Sequence, residues 1–283
     1  MTKVAVATCA GEDVDPDSPL LVGALVNEGV EGELCVWDDP GVHWAEYDLV
    51  VVRSTWDYAA RRAQFLRWAR SVERLVNPYD VIEYSSDKHY LDDLASKGVL
   101  VVDSMFCEVG STPAFPSGDF VVKPCVGAGS IEAERYGAGE VERAREHVKR
   151  LHAAGHDALI QPYVESIDVS GERALIFIDG EFSHAMTKAA MLNVTSLDRT
   201  ALFRREQMSR GHAGADALDA GRRALDAAGF SDLLYARVDL VETARGWAVM
   251  ELELVEPSLF LSYDAAAAGR LARAIRECAT SGL

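Results

Sequence analysis

The chain has 283 residues, 49% of them hydrophobic, which is enough to bury a sizeable core and to build more than one domain. Charged residues make up 26%, close to the usual globular share, so the composition excludes a largely disordered chain. The 45 acidic and 28 basic residues give a formal charge of -17, which disfavours binding to nucleic acid or anionic lipid. An anionic substrate such as a nucleotide therefore needs a local basic pocket, and the few lysines become informative.

Targeting signals and common catalytic motifs are absent from the sequence. The N-terminal segment carries one lysine and a short apolar run before acidic residues, which is not the layout of a signal peptide. No apolar stretch reaches the length of a membrane-spanning helix. The five cysteines show no CxxC pair, which indicates free thiols and predicts a cytoplasmic protein. Neither HExxH nor GxSxG occurs, which disfavours zinc proteases and the commonest serine hydrolases.

The first part of the chain predicts strands that alternate with helices. Apolar runs at 4–7, 34–37 and 49–52 indicate strands, and the last of them has the continuous apolar pattern of a buried parallel strand. Helical patterns cover 17–29 and 59–73. This alternation predicts a parallel sheet that is covered on both faces.

A second region begins where this alternation breaks. Ser86 is a candidate cap for a helix that carries Lys88 on its first turn and ends near Gly98. The apolar segment 99–102 predicts a strand. The segment 110–119, which is rich in glycine, proline and serine, predicts a loop or linker.

The second half of the chain contains strands that follow one another without intervening helices. This order predicts mainly antiparallel sheet. Residues 191–213 are polar and irregular, which predicts a long loop of the kind that often serves as a lid. The predicted strands are 120–124, 158–164, 172–178, 182–188, 235–242 and 247–255, and the predicted helices are 139–153, 214–228 and 263–279.

Two pairs of alternating charged residues give the strongest chemical signal. Arg237 and Asp239 share one face of a predicted strand, as do Glu251 and Glu253 on the next strand. Pairing these strands would gather three carboxylates, which repel one another unless cations intervene. Carboxylate oxygens are the ligands that Mg²⁺ prefers. An ordinary amphipathic strand with a solvated acidic face would show the same spacing.

Lys123 ends a predicted strand and precedes a glycine-rich turn that contains Gly127, Gly129 and Ser130. Glycines let backbone N–H groups approach phosphate oxygens, and the lysine adds a point charge. The turn is neither a P-loop nor a dinucleotide-binding fingerprint, since GxxxxGK[ST] and GxGxxG are both missing. A purely structural turn is the alternative.

A cluster of polar and aromatic side chains follows the buried strand at 49–52. In open α/β sheets ligands bind beyond the carboxyl ends of the strands, so this cluster is a candidate substrate site. The start of a capped helix with aromatic anchors is the alternative. The cluster consists of Arg53, Ser54, Thr55, Trp56, Asp57 and Tyr58.

The order of these signals along the chain resembles the ATP-grasp superfamily, and within it the glutathione synthetase and D-alanine–D-alanine ligase branch. The resemblance covers most of the chain and is most specific over 120–257. It implies an α/β and α+β fold with an N-terminal parallel α/β domain (1–84), a central ATP-grasp subdomain (85–164) and a mainly antiparallel C-terminal subdomain (165–283). ATP would lie between the last two.

The resemblance also implies roles for individual residues. Arg237 would be a catalytic cation near an acyl phosphate, and Lys123 would be a second catalytic group. The sequence departs from the family pattern at Glu253, where many members have Asn, and at Gly171, where Asp is usual. The implied nucleotide contacts are Lys88, Lys123, Gly127, Gly129, Ser130, Gln161, Tyr163, Val164, Glu172 and Lys188, and the implied Mg²⁺ ligands are Asp239, Glu251 and Glu253.

An ATP- and Mg²⁺-dependent ligase is the activity that the resemblance implies, with an amino acid-like carboxylate activated as an acyl phosphate and attacked by a nitrogen. The strings at 52–58, 86–88 and 251–257 look like the ATP-grasp group that contains the D-cycloserine-forming ligase. That narrower resemblance implies ring closure of O-ureido-D-serine in antibiotic biosynthesis. The alternatives are an intermolecular carboxylate–amine ligase, a nucleotide-binding regulatory protein without turnover, and an NAD-linked oxidoreductase.

Overall fold

The computed structural model describes residues 1–11, 15–127, 129, 131–189 and 208–281. Ser130 and most of the expected loop at 191–213 lie outside these ranges. Within them the chain forms thirteen strands and eight α-helices. The strands are β1 (Thr2–Thr8), β2 (Val30–Val36), β3 (Leu49–Ser54), β4 (Leu75–Val76), β5 (Met105–Cys107), β6 (Phe120–Pro124), β7 (Glu134–Tyr136), β8 (Ala158–Pro162), β9 (Glu172–Ile178), β10 (Glu181–Lys188), β11 (Met208–Arg210), β12 (Tyr235–Thr243) and β13 (Gly246–Glu253). The helices are α1 (Ser18–Asn27), α2 (Arg62–Ser71), α3 (Tyr79–Ser85), α4 (Tyr90–Ser96), α5 (Val141–Ala153), α6 (Ile167–Ser170), α7 (Ala215–Ala228) and α8 (Ala267–Thr280).

The N-terminal sheet is parallel and has the strand order β2-β1-β3-β4. All residues of β3 are buried, as its continuous apolar run predicts. Alternate residues of the strands face opposite sides. Val4 and Val51 pack with α1 and α8, whereas Ala5 and Val50 pack with α2. The sheet is therefore covered on both faces.

The five-stranded sheet is antiparallel and has the order β11-β10-β9-β12-β13. Its two faces belong to different cores. Leu175 and Phe177 pack against α7, while Ile176 and Ile178 join the core that contains α8 and the N-terminal sheet. This sheet and the parallel sheet thus share one continuous hydrophobic core.

A smaller sheet, with the order β5-β8-β6-β7, is covered by α5 and has a core of its own. Phe120 and Val122 of β6 pack there against Val148 and Leu151 of α5. The mixture of one parallel and two antiparallel sheets in the described residues confirms the α/β and α+β fold class. The domain division at 84/85 and 164/165 stays a prediction.

Asn77 joins the parallel sheet to the five-stranded sheet. It follows β4 and is 0% exposed. Its side-chain Nδ2 donates to the carbonyl oxygens of Tyr235 (3.0 Å) and Leu254 (2.8 Å), and its Oδ1 accepts from the N–H of Leu234 (3.0 Å). The amide is thus bonded on both its oxygen and its nitrogen, as a buried polar group requires.

Several local predictions differ from the structure. Ser86 ends α3 instead of capping α4, so Lys88 lies in the turn before α4 and not on its first turn. The expected strand at 99–102 forms only a single bridge, between Val101 and Val249. The expected helix at 59–73 begins as a 3₁₀ turn, Trp56–Arg61. No helix within the described ranges is long and apolar enough to cross a membrane.

Candidate active site

The pairing of β12 with β13 brings the alternating charged residues together. In this antiparallel register Arg237 lies opposite Glu253, and Asp239 lies opposite Glu251. The carboxylate oxygens of Asp239, Glu251 and Glu253 can all lie within 4.8 Å of one another. The clustering predicted from the sequence is therefore present, with the carboxylates and the guanidinium on one face of the sheet.

Arg237 holds two of these carboxylates. Its guanidinium donates through Nε and Nη2 to the two oxygens of Asp239, both at 2.9 Å. Nη2 also donates to Glu253 Oε1 (2.5 Å), and Nη1 to the carbonyl oxygen of Ser258 (3.2 Å). Because Arg237 is 4% exposed, water screens these contacts weakly. This bidentate geometry fixes the orientation of Asp239.

Lysines surround the third carboxylate. Lys123 Nζ lies 2.9 Å from Glu251 Oε1, and Lys88 Nζ lies 3.8 Å from the same atom. Burial by itself raises the pKa of Glu251, but the ammonium groups of Lys123, Lys88 and Lys188 outweigh it and hold the pKa well below its usual range. Glu251 is therefore ionised at neutral pH.

The neighbouring carboxyl group of Glu253 behaves differently. Burial raises its pKa to about 7, and the charges of Asp239 and Glu251 add to this effect, while Arg237 opposes it. Three carboxylates so close together favour either a proton or a cation between them. Each ionised carboxylate has about four lone-pair sites. Even with hydrogen bonds to Arg237 and Lys123, the oxygens therefore fit Mg²⁺.

A cavity that opens to solvent lies beside this cluster. Among the residues that the structure describes, every nucleotide contact implied by the resemblance lines it. The sequence analysis missed its apolar walls, which belong to residues without any distinctive motif. The implied contacts that line the cavity are Lys88, Lys123, Gly127, Gly129, Gln161, Tyr163, Val164, Glu172 and Lys188, and the apolar walls include Val121, Ile131, Ala133, Ile167 and Met250.

Lys88 and Lys188 are held by the chain itself. Lys88 Nζ donates to the carbonyl oxygen of Gly127 (2.9 Å), which ties the turn before α4 to the glycine-rich turn. Lys188 Nζ lies 3.3 Å from Glu172 Oε2 at the paired ends of β10 and β9. Burial raises the pKa of Glu172, and Lys188 opposes the shift. Both lysines thus present positive charge to a cavity in a strongly acidic protein.

The segment expected to line an adenine ring is partly engaged within the chain. The Gln161 amide donates to Ser104 Oγ (3.0 Å), and the Tyr163 N–H donates to the carbonyl oxygen of Asp119 (2.8 Å). The Tyr163 hydroxyl donates to Asp168 Oδ1 (2.5 Å). These contacts fix the wall of the cavity before any ligand arrives.

Gly171 explains one departure from the family pattern. Its φ is +66°, and a Cβ at this position would lie 2.5 Å from the carbonyl oxygen of Lys188. An aspartate here would be strained and would collide with β10. The close approach of the backbone to Lys188 therefore requires glycine, and the neighbouring Glu172 is the acidic residue that lines the cavity at this position.

A second cavity, of about 580 Å³, meets the first at the cluster of charges. Lys88, Gly127, Gly129 and Glu251 line both cavities. The walls that belong to the second cavity alone include Trp56, Tyr58, Ser85, Ser86, Tyr90, Arg237, Glu253, Glu256 and Ser258.

Only part of the predicted substrate cluster lines a cavity in the structure. Trp56 and Tyr58 line the second cavity, whereas Arg53, Ser54, Thr55 and Asp57 do not. Arg53 pairs with Asp15 (3.0 Å) and stands over the ring of Tyr235, and Ser54 Oγ lies 2.7 Å from Thr8 Oγ1. Thr55 is fully buried, and Asp57 accepts from Trp37 Nε1 (2.9 Å) and pairs with Arg61. Arg53, Ser54 and Asp57 thus bond to other parts of the chain, and Thr55 precedes the 3₁₀ turn without capping it through its side chain.

Glu256 is a cavity residue that the sequence analysis did not single out. It is 8% exposed, and burial together with the charge of Glu253 raises its pKa to about 8. A signal was available, because an acidic residue within the apolar stretch that follows β13 is unusual in a buried segment.

Relatives with known names and solved structures identify the family. The domain family described as the N-terminal domain of the D-cycloserine synthetase DcsG matches residues 4–77. The cycloserine biosynthesis protein DcsG of Streptomyces lavendulae is 39% identical over an alignment of 285 positions, which covers 93% of this chain and 94% of that protein.

Solved structures agree. A crystal structure of the D-cycloserine synthetase DcsG matches with a TM-score of 0.89 at 35% identity, over 98% of this chain and all of that chain (100%). The D-alanine–D-alanine ligase of Bacillus anthracis matches with a TM-score of 0.71 at 14% identity, over 99% and 98% of the two chains, which supports the fold alone. The chain therefore belongs to the ATP-grasp ligases, in the group that contains DcsG, and is an ATP-dependent ligase.

Proposed function

We propose that this ligase activates the carboxylate of a small amino acid as an acyl phosphate, which a nitrogen then attacks. In its most specific form, the proposal is that the ureido nitrogen of O-ureido-D-serine closes the ring on the activated carboxyl carbon, and that water then removes the carbamoyl group as carbamate, which leaves D-cycloserine. One observation carries it: two cavities meet at the carboxylates and lysines, with Lys88 and Glu251 in the wall that they share. A γ-phosphate at this wall would face a substrate in the second cavity.

The nucleotide fits the first cavity by charge and by shape. Lys88, Lys123 and Lys188 supply the local positive charge that phosphates need in a chain of net charge -17. Apolar walls such as Met250 suit the faces of a planar ring, and Glu172 offers oxygens to ribose hydroxyls.

Asp239, Glu251 and Glu253 would hold Mg²⁺. Bound there, Mg²⁺ would neutralise the negative charge that develops on the phosphoryl group during its transfer. The pKa of Glu253 is raised first by burial and then by the like charges of Asp239 and Glu251, and a bound cation would offset both.

The chain's own residues support each chemical step. A carboxylate oxygen of the substrate attacks the γ-phosphorus, ADP leaves, and an acyl phosphate forms next to Lys88 and Lys123. The nitrogen then attacks the carbonyl carbon, and phosphate leaves. Arg237, held rigid by Asp239, provides fixed positive charge for the oxyanion of that step. The glycine-rich turn shields the intermediate from water.

The relative's name supports ring closure, because DcsG is a D-cycloserine synthetase that shares 39% of its residues with this chain. The walls of the second cavity include Trp56 and Tyr58, and aromatic walls are typical of small-molecule sites.

Substrate-stimulated release of ADP tests the proposal. We expect O-ureido-D-serine to stimulate ADP release strongly among a panel of amino acids, with D-cycloserine detected by mass spectrometry. Glu251→Gln and Asp239→Asn should abolish ADP release and leave the circular dichroism spectrum unchanged, whereas Glu146→Gln on the exposed face of α5 should be fully active. Near-normal turnover in Glu251→Gln, or no response to any amino acid, would refute the proposal.

A further inference from the structure

The second cavity is lined by more acidic than basic side chains. Its charged wall residues are Lys88, Arg237, Glu251, Glu253 and Glu256. Lys123 and Lys88 approach Glu251, and Arg237 binds Glu253. Within the described ranges, by contrast, no lysine or arginine nitrogen lies within ion-pair distance of Glu256. One carboxyl group of the cavity therefore has no cation of its own.

Burial makes this imbalance costly. A carboxylate that is removed from water without a partner loses its hydration, and a nearby cation is the usual compensation. Glu256 is 8% exposed, and its pKa is raised by burial and by the charge of Glu253. Its backbone is anchored, since Trp56 Nε1 donates to its carbonyl oxygen (3.4 Å). Glu256 is thus a fixed acidic group at the cavity wall.

The surroundings of Glu256 also favour a cation. Trp56 and Tyr58 line the same cavity, and aromatic rings attract ammonium groups through their π faces. Neither aromatic residue lines the nucleotide cavity, and neither does Glu256. Lys88, by contrast, lines both cavities. A ligand that spans the second cavity therefore meets the ammonium group of Lys88 at the shared wall, and the carboxyl group of Glu256 with two aromatic rings in the part that the nucleotide cavity does not share.

We propose that Glu256 binds the α-ammonium group of the substrate, whose carboxylate lies at the shared wall near Lys88. This rests on the proposed function, since it concerns the substrate of the same site. The substrate class is then a small zwitterionic amino acid with a free amine. Carboxylic acids without that amine leave Glu256 buried and unpaired, so the enzyme rejects them.

A pair of substrates tests this assignment: O-ureido-D-serine and 3-(ureidooxy)propanoate, which lacks only the amine. If another amino acid stimulates ADP release more strongly, that acid and its desamino counterpart replace them. A hydrogen bond to a charged group contributes enough to predict a preference in kcat/KM of about 10- to 100-fold for the amine in the wild-type protein. The preference should fall below about 3-fold in Glu256→Gln, mainly through KM, and Glu256→Asp should retain part of it. Glu146→Gln is the matched control and should keep the wild-type ratio.

Two results would overturn the assignment: a wild-type protein that uses both compounds equally, or a Glu256→Gln variant that keeps the full preference. If Glu256→Gln fails to fold, the test rests on the ratio of kcat/KM for the two compounds in the wild-type protein and in Glu256→Asp. Calorimetric binding of the same two compounds separates this inference from the proposed function. Selective binding of the amine-bearing compound without ADP release refutes the ligase chemistry and supports Glu256. Equal binding together with ADP release refutes only the role of Glu256.

Discussion

Arg237 offers a prediction in which the effect on stability follows from its contacts. Replacing it with methionine keeps much of the side-chain volume but leaves Asp239 and Glu253 without their cation. Removing one partner of a buried ion pair costs about 3–5 kcal/mol in the free energy of unfolding. For a chain of this size, that corresponds to a fall in Tm of roughly 6–20 °C. Arg237→Lys keeps the charge but not the bidentate geometry, so we expect an intermediate loss of about 1–3 kcal/mol.

Urea denaturation of the three proteins measures these differences. Arg276→Met is the matched control, because Arg276 also contacts two acidic residues, Glu28 and Glu277, but is partly exposed on α8. Arg276→Met should lower the free energy of unfolding by less than about 1 kcal/mol. Saturating Mg²⁺ should stabilise Arg237→Met more than the wild-type protein, since the variant leaves the carboxylates without competing charge. Equal stability of Arg237→Met and Arg276→Met would show that the buried contacts of Arg237 do not hold the carboxylates as described.

Three further predictions concern the backbone, pH and the joint between the sheets. Gly171→Ala should lower the free energy of unfolding by about 1–3 kcal/mol and raise the KM for ATP, because its Cβ would collide with the Lys188 carbonyl oxygen. Gly23→Ala is the control, since there is open space at its Cβ, and equal KM values for the two variants would contradict the prediction. The raised pKa of Glu256, about 8 against 4.5 for an ordinary glutamate, means that the folded state binds more protons between these values. Its contribution to stability is therefore complete below about pH 4.5 and is lost as the pH rises through about 8, so urea denaturation of Glu256→Gln should show a flatter pH dependence than the wild-type protein, and an unchanged slope would refute this. Asn77→Ala should lower the free energy of unfolding by about 2–4 kcal/mol, because three buried backbone groups lose their hydrogen-bond partner, and Asn77→Asp should lower it more, because it places a charge beside them. A loss below about 0.5 kcal/mol in urea denaturation would be inconsistent with the observed hydrogen bonds.

The sequence was most informative where periodicity and charge coincided. Glutamates spaced two apart on an apolar strand, such as Glu251 and Glu253, must share a face, so their meeting with Asp239 followed from the pairing of two neighbouring strands. The buried parallel strand β3 was equally clear, because four consecutive apolar residues, 49–52, leave no polar face to place.

Prediction failed where the deciding contact was short or distant in sequence. Strands of two or three residues, such as β4, β5 and β7, are too short to show a period. The local sequence around Ser86 predicts a helix start, but Ser86 lies at the end of α3. Only the fold shows which helix it belongs to. The polar residues Arg53 and Asp57 look like ligand contacts, but their partners, Asp15 and Trp37, lie elsewhere in the chain. Glu256 gains its significance from a cavity that the sequence does not show.

The position of Asn77 bears on how the walls of the two cavities are assembled. It fastens the parallel sheet to the five-stranded sheet, and those two sheets share a core, so Trp56 and Tyr58 are held beside Arg237 and Glu253. The smaller sheet, which carries Lys123, packs on α5 in one core, and Leu159 of its strand β8 joins a core of the five-stranded sheet. The 2.9 Å contact between Lys123 and Glu251 therefore crosses from one sheet to another, and the charges of the candidate site come from both.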